Sequence, residues 1–306
     1  MDAELVVAVL FAVGFAVTNG LHDASNAIAT LVATRAATPL QAILLASVFN
    51  LLGPLFLGAA VADTIGGIVT VPVLEYSLRF ADVPEEYRMH IAVATSLAAI
   101  IPTSISSARS HHARGAVDWP LTRRWAVPML VAAFAGSLLA SHAPLPVLAG
   151  IFGAVALLIA LKMLLPVDDL RVSDHVPRGA GGAALASLIG GVSAVMGIGG
   201  GTLAVPTLNL CGYPIHRAVG TASFFGFLIS VPGTLGYLLA RPPADLPWST
   251  VGYVSLVGLA VIAPGSMLTA KLGARTAHTL SRRRLAQAFG VFLLLVGSRM
   301  LYRALA

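Results

Sequence analysis

Long apolar runs dominate this chain, and short polar or charged stretches separate them. They span about residues 4–34, 38–61, 66–80, 90–109, 124–141, 145–165, 181–197, 202–214, 216–240, 248–271 and 285–303. Because a helix of about 20 apolar residues crosses the hydrocarbon core of a bilayer, the runs predict about eight to eleven membrane segments, some of them short. The predicted fold class is therefore all-α, a polytopic transmembrane helical bundle.

Basic residues mark which ends of these segments share a side of the membrane. One loop holds Arg109, Arg114, Arg123 and Arg124, and a second holds Lys271, Arg275, Arg282, Arg283 and Arg284. Positive residues concentrate in cytoplasmic loops, so both loops are predicted there, while the connection 141–146, without Lys or Arg, faces the other side. Residues 166–180 then return to the cytoplasm. Residues 181–214 must consequently enter and leave on one face, as a hairpin or a re-entrant pair.

Composition agrees with a membrane protein. The 306 residues are 57% hydrophobic and 10% charged, whereas an ordinary soluble domain is about 25% charged. The net charge of +6 follows from the basic loops and does not indicate nucleic-acid binding. The single cysteine, Cys211, excludes an intramolecular disulfide and a Cys-rich metal site. The N-terminus lacks the basic region of a cleavable signal peptide, so the first run is expected to remain in the mature protein.

Two parts of the chain repeat each other. GGIVTVPVL from Gly66 parallels GGTLAVPTL from Gly200, and HIAVATS from His90 parallels HRAVGTA from His216. The stretches around Trp119 and Trp248, and the segments ALKML and GSRML ending at Leu164 and Leu301, extend the match. The charge assignment gives the copies, 66–165 and 181–306, opposite orientations. Inverted repeats with broken helices are a common transporter architecture, so the chain is predicted to form one such transmembrane domain.

The larger part of the chain, residues 66–306, resembles the TauE/SafE family of anion exporters. The resemblance rests on GIGGGTLAVP with the following HRAVGTASF, and on HIAVATSLAAIIPTSISSARSHHARGAVDW in the first copy. It implies a secondary transporter that exports sulfite, sulfonates or related small organic anions. The first glycine motif is shortened to Gly66 and Gly67.

Residues 1–65 resemble a second family, the PiT inorganic phosphate transporters. The stretch TNGLHDASNAIATLVATRAATP, from Thr18 to Pro39, resembles that family's signature. The resemblance implies a helix break at which Asn19, Asp23 and Asn26 bind phosphate and a coupling cation, Na⁺ or H⁺. A buried carboxylate is costly and commonly functional, although Asp23 would also suit a helix cap. PiT transporters have two such motifs and this chain has one.

The glycine run is the predicted anion site of the second copy. A break exposes backbone N–H groups, and the half-helix that follows presents partial positive charge. The predicted substrate-binding residues are Gly197, Gly199, Gly200, Gly201 and Thr202, with Thr95, Ser96, Thr221 and Ser223 from matching positions of the two copies. The alternatives are close helix packing for the glycines and structural hydrogen bonds for the hydroxyls.

These features predict an ion-coupled secondary transporter of a small anion in the inner membrane. Phosphate transport through the PiT-like motif, and a fused chain that transports poorly because each family contributes an incomplete pair of motifs, are the alternatives. An intramembrane enzyme using His22, Asp23 and Ser25 lacks an established nucleophile motif. The nucleotide-binding loop of ATPases is absent from the sequence. Membrane lipids are expected partners, a homo-oligomer is left open, and neither a resident metal nor another cofactor is expected.

Overall fold

A computed structural model of the chain describes residues 70–72, 74–76, 78, 83–164, 173, 175–242, 246, 249–260 and 282–305. The helices described from end to end are α1 (Glu85–Ala113), α2 (Trp119–Ala140), α3 (Leu145–Leu164), α4 (Gly179–Met196), α5 (Gly200–Leu210), α6 (Ile215–Leu239) and α7 (Arg282–Leu305). Two short strands, β1 (Thr250–Val251) and β2 (Val254–Ser255), pair antiparallel.

Local sequence explains where several helices begin. Helix α1 follows Pro84 and carries Glu85 and Glu86 in its first turn, where the helix dipole favours negative charge. Helix α2 begins after Asp118, whose carboxylate accepts a hydrogen bond from the N–H of Leu121. This is the standard geometry of an aspartate N-cap.

Glycines allow the helices to approach closely. Helices α3 and α7 pack together, as do α2 and α4, and α6 lies against α1, α2 and α5. A Cβ at Gly153 would lie 2.8 Å from the carbonyl oxygen of Gly297, and one at Gly190 would lie 2.6 Å from that of Met129. Small residues at helix interfaces are typical of membrane bundles, because apolar side chains gain little by leaving lipid.

The outer surface of the bundle is apolar. Val127 on α2 and Leu158 on α3 are 67% and 66% exposed, which suits contact with lipid tails rather than water. Helices α1, α3, α4 and α6 are long and apolar enough to cross a membrane. The prediction of an all-α, multi-pass membrane protein is confirmed. The inverted repeat stays a prediction, although the matching sequences lie on helices that pack together, α1 with α6 and α3 with α7.

Helices α4 and α5 form the predicted hairpin. The N–H of Ser173, which precedes α4, donates to the carbonyl of Leu210 at the end of α5, at 3.2 Å. Lys162, near the end of α3, donates to the carbonyl of Pro206 at 3.2 Å. The hairpin therefore begins and ends at one end of the bundle.

The predicted apolar segment 248–271 differs from a simple span. Residues 250–255 form the β-hairpin, and helix follows over residues 256–260. Gly252 makes the turn with φ +57°, and the N–H of Tyr253 donates to the carbonyl of Tyr237 at 3.3 Å. The left-handed turn and this contact with α6 explain why extended backbone replaces helix there.

Two glycines on one face of α3 provide a test of the α3–α7 packing. Gly153→Ala places a methyl group against backbone of α7, whereas a Cβ at Gly150 would lie 3.5 Å from Ala304 Cβ, an ordinary contact. We expect Gly153→Ala to lower the free energy of unfolding by about 1–3 kcal/mol and Gly150→Ala to leave it nearly unchanged. Thermal unfolding of both variants in detergent measures this, and equal behaviour would contradict the packing.

Candidate functional site

A glycine turn separates α4 from α5. Gly197 ends α4 in the left-handed region with φ +71°, and its N–H donates to the carbonyl of Ala194 at 3.4 Å. Left-handed glycine is a common helix terminator. Gly199 is extended, and α5 begins at Gly200. The helix is broken where the glycine run predicts a break.

The break lies between α1 and α6 and is in close contact with both. A Cβ at Gly197 would lie 2.8 Å from Val71 Cγ2 and 2.9 Å from Val93 Cα, and one at Gly200 would lie 2.6 Å from Phe225 Cβ. Real Cβ atoms do not approach so closely, and the contacts include backbone that cannot rotate away. Close packing therefore explains why glycine stands at these two positions, whatever else the break does.

The first turn of α5 is buried at this break. Gly200, Gly201 and Thr202 are all buried, and the N-cap residue Gly199 has no side chain to bind the amides of that turn. The first amides of a helix have no partner within the helix and carry its positive partial charge. This buried helix start has the geometry that binds anions in other proteins.

Two of the predicted hydroxyl residues make structural hydrogen bonds. Ser96 of α1 donates to the carbonyl of Gly197 at 2.7 Å, which ties α1 to the break. Ser223 of α6 donates to the carbonyl of Gly220 at 2.7 Å, within its own helix. In this conformation both hydroxyl protons are engaged with backbone, so these side chains position helices.

Thr95 and Thr221 make equivalent contacts in the two copies. Thr221 of α6 accepts a hydrogen bond from the N–H of Asp118 at 3.0 Å. Thr95 of α1 accepts one from the N–H of Ser255, also at 3.0 Å. We call these the Thr221 latch and the Thr95 latch. The Thr221 latch joins α6 of the second copy to the segment that starts α2 of the first copy. The Thr95 latch joins α1 of the first copy to the segment that starts the helix at residues 256–260 of the second copy.

Asp118 and Ser255, whose backbone N–H groups donate in the two latches, also use their side chains as equivalent helix caps. Asp118 accepts from the N–H of Leu121 at 3.0 Å, and Ser255 accepts from that of Gly258 at 3.1 Å. The hydrogen bonds therefore pair Asp118 with Ser255, whereas the sequence match of the two tryptophans pairs Asp118 with Pro247. Trp248 itself lies outside the described residues.

Charge is concentrated beside the Thr221 latch. The hydroxyl of Tyr213 donates to Asp118, and Arg217 lies 3.3 Å from the same carboxylate. Burial alone would raise the pKa of Asp118, but hydrogen bonds from Tyr213 and Leu121 and the charge of Arg217 together lower it. Burial and the hydrogen bond to Asp118 raise the pKa of Tyr213 to about 12. The latch at this end is thus fixed by an anionic carboxylate.

An ion-pair network at the other end of the bundle is not apparent from the sequence. Arg303, near the end of α7, donates to the buried carboxylate of Glu75 at 2.7 Å and also to Glu85 at the start of α1. These residues are distant in sequence, so only the folded chain brings them together. The network holds α7 to α1 and to the segment that precedes it.

An aromatic cavity of about 340 Å³ opens where α1 ends and α2 begins. Its lining includes Arg109, His112, Trp119, Phe224 and Phe227. His112 and Phe224 both pack edge-on against Trp119. The polar side chains lie on a mostly apolar surface, and none of the lining residues belongs to α5.

Among the residues that the structure describes, four buried hydroxyl groups have no hydrogen-bond partner. They belong to Ser193 on α4 and to Ser230, Thr234 and Tyr237 on α6. Sequence reasoning missed them, although the polar residues at 230 and 234 in an apolar helix, spaced one turn apart, were a usable signal. Buried polar groups in proteins are nearly always paired.

The predicted ion-coupling residues Asn19, Asp23 and Asn26 lie outside the described residues. Within the part of the chain that the structure describes, there is no group of three or more His, Cys, Asp or Glu side chains that could hold a metal ion.

Comparison with known proteins identifies relatives of most of the chain. The family model described as "Sulfite exporter TauE/SafE" matches residues 55–300. A Haemophilus influenzae protein named "Probable membrane transporter protein" is 33% identical over 243 residues, which cover 77% of this chain and 89% of that protein. A similarly named Methanocaldococcus jannaschii protein is 26% identical over 221 residues, 72% of this chain and 81% of its own length. No solved structure matches.

A second kind of relative matches a shorter stretch. A Streptomyces halstedii protein named "Probable low-affinity inorganic phosphate transporter" is 51% identical over 75 residues. The match covers 24% of this chain and 34% of that protein. The two resemblances seen in the sequence are thus both found among known proteins, one over most of the chain and one over about a quarter.

The lowered pKa of Asp118 makes the contacts of its carboxylate, beside the Thr221 latch, sensitive to acid. A carboxylate with a lowered folded-state pKa stabilises the fold above its unfolded pKa of about 3.9, and this contribution is lost as the pH falls through the folded value. We expect Asp118→Asn to be less stable than the wild type at pH 7, with the difference shrinking towards pH 3. Unfolding midpoints across this range measure it, and a pH-independent difference would exclude the electrostatic explanation.

Proposed function

Because the chain belongs to the TauE/SafE family and is a multi-pass membrane transporter rather than an enzyme, we propose that it moves a small oxyanion, sulfite or an organosulfonate, by secondary transport. The observation that carries this proposal is the start of α5, which is buried between α1 and α6 and lacks a side-chain cap. Positive partial charge at such a buried helix start favours an anion.

The anion binds at the glycine break. Backbone amides of Gly199, Gly200 and Gly201 face it at the start of α5, and the hydroxyl of Thr202 adds a donor. Gly197 lets α4 end against α1. Oxyanions are good hydrogen-bond acceptors, and donors without full charge hold them without preventing release, as conduction and transport require.

The remaining predicted residues control the shape of the site. Ser96 fixes the break to α1, and Ser223 stabilises the backbone of α6 next to Phe225. The Thr221 and Thr95 latches lie at the helix starts of the two copies. We assign them to alternating access: one latch opens on each side in turn while the other stays closed, as expected for related repeats that rock about a central site.

Ion coupling belongs to the PiT-like segment in this proposal. Asn19, Asp23 and Asn26 would bind Na⁺, or Asp23 would carry a proton. The second candidate cargo is inorganic phosphate, favoured by the 51% identity of this segment to a protein named as a phosphate transporter. That relative shares only 24% of this chain, so the sulfur oxyanions are preferred. In the third candidate, a fused chain transports none of these anions well.

Uptake into proteoliposomes distinguishes these candidates. We expect the full chain to move sulfite and ethanesulfonate in competition with each other, and phosphate at least about tenfold more slowly, which corresponds to about 1.4 kcal/mol of discrimination. Faster phosphate uptake, lost in Asp23→Asn, would favour the second candidate. Absence of uptake for all three anions would contradict the proposal and favour the third.

Two threonines on α5 provide a matched pair for the site. Thr202 lies in the first turn, whereas Thr207 donates its hydroxyl to the carbonyl of Leu203 near the other end of the helix. We expect Thr202→Ala to raise the KM for sulfite several-fold, and Thr207→Ala to leave it unchanged. Equal effects would remove the start of α5 from the site.

A further inference from the structure

The four unpaired hydroxyl groups are energetically unfavourable in a membrane bundle. Ser193, Ser230 and Tyr237 are fully buried, and Thr234 is 6% exposed. Removing a hydroxyl from water without a compensating hydrogen bond is unfavourable. Alanine, valine and phenylalanine would fill the same spaces without that penalty, so packing alone does not account for hydroxyl groups here.

Other buried hydroxyls in the described part of the chain show the usual solution. Ser104 on α1, Ser137 on α2 and Ser141 at its end each donate to a carbonyl three residues earlier, at 2.8–3.0 Å. Helical serine and threonine commonly make this bond. The side chains of Ser230 and Thr234 also sit within a helix and yet do not make it.

The unpaired hydroxyls of α6 share one face of the helix. Ser230, Thr234 and Tyr237 are spaced four and then three residues apart, which places them on one side. Gly226 and Gly233 lie on the same side. From Gly226 to Tyr237 this face extends for roughly 16 Å along the helix axis. We call it the hydroxyl face.

The hydroxyl face starts at the glycine break. A Cβ at Gly226 would lie 3.8 Å from the amide nitrogen of Gly200, the first residue of α5. One at Gly233 would lie 3.0 Å from Leu97 of α1 and 3.5 Å from Ala194 of α4. The face therefore follows the junction of α6 with α1 and α4, away from the start of α5.

Ser193 lies on α4 next to the same junction. It precedes Ala194, which contacts the hydroxyl face at Gly233, and its carbonyl accepts a hydrogen bond from the N–H of Ile198 in the glycine turn at 3.0 Å. A serine with no hydroxyl partner is thus bonded through its backbone to the break itself.

We propose that Ser193, Ser230 and Thr234 donate hydrogen bonds to the transported oxyanion, and that its path runs from the start of α5 along the hydroxyl face to Tyr237. The inference rests on the proposed function. It assigns the ligand a class: an anion with at least two acceptor oxygens, such as sulfite or a sulfonate. Its oxygens supply the acceptors that the hydroxyls lack, and the amides at the start of α5 supply the remaining donors.

The test measures affinity and stability together. Ser230→Ala and Thr234→Val each remove one unpaired hydroxyl with little change of shape. Ser141→Ala and Thr103→Val are the matched controls, because their hydroxyls donate to backbone carbonyls. The probes are sulfite and ethanesulfonate, titrated calorimetrically into the purified full chain in detergent.

We expect Ser230→Ala and Thr234→Val each to weaken binding by about tenfold, as for a hydrogen bond to a charged group, with an unfolding midpoint equal to or above that of the wild type. The controls should keep wild-type affinity. A purely structural role would change the midpoint and leave affinity unchanged, and this result would overturn the inference.

Failure of this inference is separable from failure of the proposed function. If wild type binds sulfite and Thr202→Ala weakens it, while Ser230→Ala and Thr234→Val bind normally, the oxyanion site stands and the hydroxyl face is excluded from it. If the wild type binds neither probe, the proposed function and this inference both fail.

Discussion

The close approach of the glycine break to α1 and α6 is the contact on which the rest of the described structure depends. No side chain larger than hydrogen fits at Gly197 or Gly200 without displacing neighbouring helices. This contact lets α4 end inside the bundle and α5 start there. The buried amides at the start of α5 are unfavourable without a partner, and an anion can supply one. The hydrogen bond from Ser96 to Gly197 fixes the geometry.

Helix caps and threonine hydroxyls supply hydrogen bonds around the described bundle. A bundle in lipid must satisfy its backbone internally, and the caps at Asp118 and Ser255 do so while also bonding to the threonine latches. The two latches differ in electrostatics: Asp118 lies beside Arg217 and Tyr213, whereas Ser255 is an uncharged cap. A transporter whose two sides open with different ease would be expected to have such unequal contacts.

Much of the architecture could be predicted from the sequence, because hydropathy and basic loops report directly on membrane segments. The hairpin of residues 181–214 followed from charge counting, and the break followed from Gly197 and its neighbours. The β-hairpin at 250–255 could not be predicted, since it depends on a tertiary contact with Tyr237. For the glycine run, the sequence favours exposed amides and leaves close helix packing as the alternative. At Gly197 and Gly200 the neighbouring helices require glycine, and only the folded chain shows those neighbours.

The site was only partly accessible to sequence reasoning for the same reason. Thr95 and Thr221 stand out in the sequence because of the repeat. Their partners, Ser255 for Thr95 and Asp118 for Thr221, lie more than 100 residues away in the chain. Ser230 and Thr234 were overlooked because a hydroxyl in an apolar helix is ordinary until its lack of a partner is seen. The ion pairs of Arg303 could not be predicted from the sequence either.

The most direct test is a crystal structure of the full chain with selenite, an analogue of sulfite whose selenium gives an anomalous signal. The account predicts a peak beside the first turn of α5, within hydrogen-bonding distance of the Gly200 amide region and of Ser230. A peak in the aromatic cavity beside Arg109 and Trp119, with none at the glycine break, would contradict it.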